Sequence, residues 1–418
     1  MKRKILFIVD AVTWSEVVRL AVLARGLDPR RYEVHFASAR FDERIFQGAS
    51  FTRWPITSVS AEKTVAAVNS SPTKLTYPKA VLAKYVAEEL DLYEAIRPDL
   101  VVFDLRPSTT ISGPVFGVPC ANLINAYYSY WSHRSTTREW LPIPDRGFFR
   151  LLPSIAKKYL LPIVLPKALR YMAAPVNYLR RKHGLSELGD WIDVLTWGDR
   201  VLFPDDPLLI PLSHLAPHET FLGPVLWSPQ IPLPAFWDEL GHDRPMIYAT
   251  LGSSGDIRAV PPVLEALGGM DVDVVLSTAA RFTPKNPPHN VRVVEMIPGD
   301  LAARKAAVVV CNGGASTGYQ ALAAGTPIVG IPSNIDQLLA ATAMCDAGAG
   351  LFVRAATVTP PKIRTAVERV MHEASFTETA QRVAASFASF DPHARFRAVI
   401  DEVIERCDIA TVQSRAWS

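Results

Sequence analysis

Apolar runs that do not alternate with polar residues most narrow what this chain can become. KILFIVD at 4–10, LVVFDL at 100–105, DVDVVLST at 271–278, AAVVVCNG at 306–313 and TPIVGIPS at 326–333 are of this kind. A strand with one wet face alternates; these do not, so their sheets are covered on both faces. Between them lie segments with apolar spacing of three and four, such as SEVVRLAVLARGLD at 15–28 and KAVLAKYVAEELDLYEAIRPD at 79–99. Strand, helix, strand in succession is a parallel crossover unit, so the expected class is α/β with doubly wound parallel sheets.

A chain of 418 residues exceeds one ordinary core, which predicts two domains of about 200 residues each. The first is expected over 1–205, with a helical insertion at about 140–182 that is rich in Pro, aromatics and basic residues, Lys157, Lys158, Lys167, Arg170, Arg180, Arg181 and Lys182. Pro-dense residues 206–240 read as a linker, 241–376 as the second domain, and 377–418 as a helix returning to the first.

Net charge is only +3 and evenly spread, which argues against nucleic acid as a partner. Cys120, Cys311, Cys345 and Cys407 lie far apart without C-x-x-C spacing, as in a reduced, cytoplasmic protein with neither a disulfide framework nor a cysteine metal site. The opening MKRKILFIVDAV reads as a first buried strand rather than a cleaved leader. No run approaches the roughly 20 apolar residues of a membrane span, although the basic stretch 157–182 leaves peripheral contact with an anionic membrane as an alternative. Oligomeric state is not readable from the sequence.

In open parallel sheets, ligands bind beyond the carboxyl ends of the strands, where helix N-termini present free N–H groups. CNGGASTGYQ supplies Gly313 and Gly314 for close backbone approach, with Ser316 and Thr317 to cap a helix or donate to phosphate. It has neither the Lys of a P-loop nor a dinucleotide fingerprint. TLGSSGD adds a second strand-end loop with Gly252 and Ser253, and the two loops together suit a diphosphate.

These residues resemble a known family, the GT-B nucleotide-sugar glycosyltransferases of family 1, in their bacterial natural-product branch. The likeness is strongest in CNGGASTGYQALAAGTPIVGIPSNIDQ, supported by LGPVLWSP, TLGSSG and VRVVEMIPGDL, and it covers nearly the whole chain. It implies two Rossmann-like domains facing a cleft and an inverting transfer from a UDP- or dTDP-sugar to a hydroxyl of a small apolar acceptor, without a metal or other cofactor. By position, Asn312, Gly314, Ser316 and Thr317 would surround the diphosphate, Asp336 and Gln337 would hold sugar hydroxyls, and the backbone at Met296 and Ile297 would read the base.

Two departures matter. Asn312 stands where the family has a His, so a donor remains but its charge does not. Glu16 stands at the family's His base, with Asp104 at its orienting Asp and Asp10 as an alternative base. Two facing carboxylates would raise one pKa toward neutrality unless Arg106 neutralises them; equally, Glu16 reads as a first-turn helix residue favoured by the dipole. Thr13, Trp14, Arg106, Tyr127 and Trp131 are the expected acceptor contacts, and His133 and His183 are further titratable groups. A nucleotide-sugar epimerase of the same fold and a degenerate, nucleotide-binding helper remain as alternatives. The lipid-linked transferase of cell-wall synthesis fits less well, because DAVTWSE lacks its Gly-rich first loop.

Overall fold

The computed structural model describes residues 2–59, 77–129, 132 and 154–416. The non-alternating runs form two all-parallel sheets. The first has the order β3-β2-β1-β4-β5-β6-β7, built from β1 (Arg3–Val9), β2 (Tyr32–Ser38), β3 (Thr52–Pro55), β4 (Leu100–Asp104), β5 (Cys120–Leu123), β6 (Arg200–Phe203) and β7 (Glu219–Phe221). The second has the order β10-β9-β8-β11-β12-β13, with β8 (Met246–Thr250), β9 (Asp273–Ser277), β10 (Val291–Val294), β11 (Val308–Cys311), β12 (Ile328–Gly330) and β13 (Gly350–Phe352). Each order reverses beside its first strand, between β1 and β4 and between β8 and β11. Crevices open at such switch points.

The longer helices around these sheets are α1 (Trp14–Arg25), α2 (Lys79–Ile96), α3 (Thr109–Phe116), α4 (Ser154–Lys182), α5 (Val260–Gly268), α6 (Gly299–Lys305), α7 (Ala315–Ala323), α8 (Ile335–Asp346), α9 (Pro360–His372), α10 (Ala374–Ala388) and α11 (Pro392–Ala416). Among the described residues no helix is long and apolar enough to cross a membrane.

Two boundaries differ from expectation, those of the linker and the tail. β7 pairs with β6, so the first sheet continues past 205 into the presumed linker. In the expected insertion, residues 154–182 form one helix, α4, while 140–153 lie outside the described residues. The tail is two helices with different allegiances, separated at 389–391 before Pro392, a residue suited to starting a helix. α10 stays with the second domain, where Phe387 meets the Tyr319 ring edge-on with centroids 5.4 Å apart. α11 returns to the first domain: Phe396, Val399, Ile400, Val403 and Ile404 complete a core with Ile5, Phe7 and Leu20.

The domains also share apolar core. Ile124, Ala126, Phe203 and Leu209 of the first pack in one cluster with Tyr248, Ile297, Ala302 and Phe387 of the second. That cluster fixes the facing crevices relative to each other.

Phe396 is fully buried against the ring of Phe7, with centroids 6.0 Å apart. Phe396→Ala is therefore expected to cost about 3–5 kcal/mol, seen as a lower denaturation midpoint. Hydrogen-exchange protection should fall in β1, β2 and α1 before β8 and β11; equal loss in both sheets would contradict the assignment of α11 to the first core.

Candidate active site

The carboxyl ends of β1 and β4 bring three acidic residues together, and each has a different fate. Asp10 follows β1 and is fully buried. Its Oδ1 accepts from Ser58 Oγ at 2.7 Å and Arg106 Nη1 at 3.1 Å, and its Oδ2 from the Tyr77 hydroxyl at 2.7 Å. Arg106 is equally buried; it donates to Glu89 Oε1 at 2.7 Å and to the Thr57 carbonyl at 2.8 Å, and it lies 3.8 Å from the Tyr85 ring centroid. Glu89 in turn takes hydroxyls from Ser108 and Ser112. Two sequence expectations are thereby corrected. Asp10 is no free base, and Arg106 is no acceptor contact, because every strong partner of each lies inside the domain. The residues behind this turn are strained: Ala11 and Leu105 have φ of 53° and 45° without being glycine, at about 1–2 kcal/mol each.

Asp104, at the end of β4, faces Arg19 of α1 instead. Nη2 donates to Oδ1 at 3.0 Å and to Oδ2 at 2.8 Å, and Nε donates to Oδ2 at 3.1 Å. Burial pushes the Asp104 carboxyl up to about 6 despite that guanidinium. Glu16, three residues before Arg19 on α1, is 6% exposed. Its Oε2 accepts the N–H groups of Val12 at 2.9 Å and Thr13 at 3.4 Å, and its Oε1 accepts the Thr13 hydroxyl at 3.0 Å. This is a capping box, which the first-turn reading of Glu16 described. Burial, and then the negative charges of Asp104 and Asp10, push Glu16 up to about 8. The raised pKa anticipated from facing carboxylates is present, with burial as its larger cause. Thr13 and Trp14 are half-buried at this rim, with the Arg44 guanidinium 4.7 Å from the Trp14 ring centroid.

Arg19 extends the cluster across the domain boundary. Its Nη1 donates to Asn125 Oδ1 at 2.5 Å, Asn125 Nδ2 donates to Asp205 Oδ1 at 2.7 Å, and the Tyr319 hydroxyl of α7 donates to the same oxygen at 2.6 Å. Beside it, the hydroxyls of Tyr127 and Tyr128 donate to Asp336 Oδ1 at 2.8 and 3.0 Å. Tyr127, expected at the acceptor, thus bridges to the second domain; Trp131 and His133 fall outside the described residues.

In the second domain, Gly313 has a φ of 76°, and a Cβ there would lie 2.9 Å from Ala341 Cβ. Only glycine gives this turn without strain or clash. Asn312 Oδ1 accepts the Gly314 N–H at 3.0 Å, which directs its amide Nδ2 toward Ser254 Oγ at 3.4 Å. α7 begins at Ala315 with Ser316 and Thr317 in its first turn, where N–H groups have no intrahelical partner. Met296 and Ile297 follow β10, and Met296 Sδ accepts from Arg44 Nη1 of the first domain at 3.7 Å.

Gln337 differs from expectation. It is 1% exposed; its Oε1 accepts the Ser333 N–H and hydroxyl, each at 2.9 Å, and its Nε2 donates to Ser254 Oγ at 3.1 Å. Rather than facing a sugar, it ties the loop after β12 to the loop after β8. Ser253 is exposed, and Ser254, which carries no signal in the sequence, is the hydroxyl that meets both Asn312 and Gln337. Among the described residues no group of His, Cys, Asp and Glu is arranged to hold a metal ion.

Comparison with known proteins decides the family. The chain is 40% identical over 397 residues to the PGL/p-HBAD biosynthesis glycosyltransferase Rv2958c of Mycobacterium tuberculosis (strain ATCC 25618 / H37Rv), covering 94% of this chain and 91% of that one. This chain belongs to the family 1 GT-B glycosyltransferases. It is 38% identical over 387 residues to a PGL/p-HBAD biosynthesis rhamnosyltransferase of Mycobacterium bovis (strain BCG / Pasteur 1173P2), with 92% and 84% coverage. A protein of that strain named an inactive PGL/p-HBAD biosynthesis glycosyltransferase is 40% identical over 268 residues, 64% of this chain and 71% of its own. Residues 261–405 match the Erythromycin biosynthesis protein CIII-like C-terminal domain. The solved structure of spinosyn rhamnosyltransferase SpnG with thymidine diphosphate shares the fold, at a TM-score of 0.67 and 18% identity, covering 96% of this chain and 100% of that one.

The raised pKa of this glycosyltransferase's Glu16 has a consequence for stability. The folded state holds the proton to about pH 8, whereas an unfolded glutamate releases it near 4.5. Folding stability from this group is full below about pH 4.5, declines as pH rises, and is gone above about pH 8. Glu16→Gln removes that titration. Unfolding curves from pH 5 to 9 should fall by several kcal/mol less in the variant than in the parent; parallel curves would mean an ordinary Glu16.

Proposed function

We propose that this chain transfers a sugar, with inversion, from a dTDP- or UDP-sugar to a hydroxyl of a small, largely apolar acceptor. The observation that carries this reading is the polar chain that runs from Asp104, beside the buried Glu16 carboxyl, through Arg19, Asn125 and Asp205 to Tyr319 of the helix that begins at the glycine turn Asn312–Thr317. The names of the rhamnosyltransferase relative and of the thymidine diphosphate complex favour the dTDP donor. In this reading N–H groups of the loop and of α7 hold the diphosphate without a metal ion. Asp336, steadied by Tyr127 and Tyr128, keeps its second oxygen for a sugar hydroxyl.

Glu16 is too enclosed for an acceptor to reach directly, and Thr13 supplies the connection. Its half-buried hydroxyl donates to Glu16 Oε1 at 3.0 Å and lies 2.7 Å from Ser15 Oγ. As the acceptor oxygen bonds to the anomeric carbon and the diphosphate leaves with the bonding pair, the acceptor proton passes to Thr13 Oγ. The proton of Thr13 passes to the Glu16 carboxylate. Attack opposite the departing diphosphate inverts the centre.

The relative named inactive, together with the capping-box role of Glu16, supports a second reading in which the fold binds nucleotide sugar without transferring it. Turnover decides between them. Glu16→Gln should lower it about 10²–10⁴-fold with nucleotide binding retained, and Thr13→Val should follow it while Thr13→Ser does not. The parental rate should rise through about pH 8 as Glu16 ionises. Nucleotide binding without turnover across a panel of acceptors would favour the second reading; calorimetry that detects neither dTDP nor UDP with EDTA present would remove both.

Asp336→Ala should weaken a dTDP-sugar more than dTDP itself, because only the sugar loses a partner. Equal weakening would confine Asp336 to its interdomain hydrogen bonds.

A further inference from the structure

The turn from Thr278 to Arg281, just after β9, is built against backbone preference. Ala279 and Ala280 have φ of 52° and 57°, and the Arg281 N–H closes onto the Thr278 carbonyl at 3.1 Å. Positive φ at both central residues suits Asn-Gly, not two alanines. Such strain persists where the surroundings fix it, commonly at functional sites.

The turn delivers one side chain to the crevice. Arg281 Nη1 donates to the carbonyls of Gly252 and Gly255 at 3.1 and 2.8 Å. Among the described residues no hydrogen bond or ion pair occupies its Nε or Nη2. The nearby carboxylate, Asp256, is already gripped by Arg258 at 2.6 to 3.1 Å. Gly252 and Gly255 carry Arg281 to the loop that faces Asn312: a Cβ on Gly255 would lie 3.1 Å from Asn312 Cβ, and one on Gly252 would lie 3.4 Å from Asn312 Nδ2.

The electrostatics of the crevice give that cation a purpose. Asn312, Ser254, Ser316, Thr317 and the glycine N–H groups are neutral donors, whereas a nucleoside diphosphate is multiply anionic. Arg281 makes no ion pair among the described residues, and Asp256, the carboxylate whose charge reaches it, is held by Arg258. We propose that Arg281 is a donor-binding residue whose guanidinium, held by the Gly252 and Gly255 carbonyls, pairs with the nucleoside diphosphate and supplies the charge that Asn312 lacks. Its planar fork suits phosphate oxygens.

This inference rests on the donor reading above, and the test separates the two. Calorimetry with EDTA present would compare thymidine, dTMP and dTDP on the parent protein and on Arg281→Ala, Arg281→Lys and Arg281→Gln. Arg281→Ala should weaken dTDP about 10–100-fold, dTMP less, and thymidine hardly at all. Arg281→Lys should recover much of the loss, while Arg281→Gln, which can still donate to the two carbonyls, should resemble Arg281→Ala. Equal weakening of all three ligands, or parental dTDP affinity in Arg281→Gln, would show that Arg281 only shapes the loop and would overturn the proposal. A parent protein that binds neither dTDP nor UDP would sink the donor reading and this inference together.

Discussion

The buried contact between Arg19 and Asp104 is the constraint on which the rest of the site depends. A guanidinium and a carboxylate taken out of water cost several kcal/mol each unless their remaining hydrogen-bonding capacity is used. Arg19 uses it by reaching on to Asn125, and through Asn125 to Asp205 and Tyr319. One ion pair thereby recruits the carboxyl end of β4, the turn after β5, the end of β6 and the helix that begins at the glycine loop. Removing Arg19 would strand Asp104 beside Glu16, two buried carboxyls without a cation. The acidic side of the crevice and the nucleotide-facing helix are thus held by one polar chain.

Arg106 forms a second, separate cluster beneath the first. It neutralises Asp10 and Glu89 in a largely buried network with Ser58, Tyr77, Ser108 and Ser112. The two arginines hold different carboxylates: Arg106 consumes Asp10 in the scaffold and Arg19 holds Asp104, while Glu16, enclosed beside Asp104, keeps only Val12 and Thr13 as hydrogen-bond partners among the described residues. Strain has the same geography. Of the six non-glycine residues with positive φ among the described residues, four, Ala11, Leu105, Ala279 and Ala280, sit just past strand ends on the crevice side, while Arg97 caps a helix and Asn286 lies in the loop before β10.

The sheets and most helices were legible in the sequence, because continuous apolar runs and three-four spacing depend on burial that the fold then provides. The glycine turn at Gly313 was legible for a similar reason, since residue type alone predicts a positive φ. Direction was not. Nothing in FDLRPS shows that Leu105 turns left-handed and sends Arg106 inward, so Arg106 was expected at the acceptor. Gln337 was misplaced likewise, because its use depends on Ser254 from a loop 83 residues away. Arg19 was missed although its spacing of three from Glu16 on one helix was a readable signal. Arg281 comes after two alanines, a sequence that carries no mark of the left-handed turn presenting it.

The return of α11 to the first domain has a consequence for how the chain is made. During synthesis the residues of β1, β2 and α1 leave the ribosome long before Phe396 and Ile400, so the face they share with these residues stays open until α11 has been made. Domains commonly fold in the order they emerge. Here the N-terminal domain waits with exposed apolar surface while the second domain, whose strands all lie within 246–352, has its entire sheet available first. The segment that closes the first domain is translated after the whole second sheet, so a ribosome halted between the two would hold a complete second sheet tethered to an unfinished first domain.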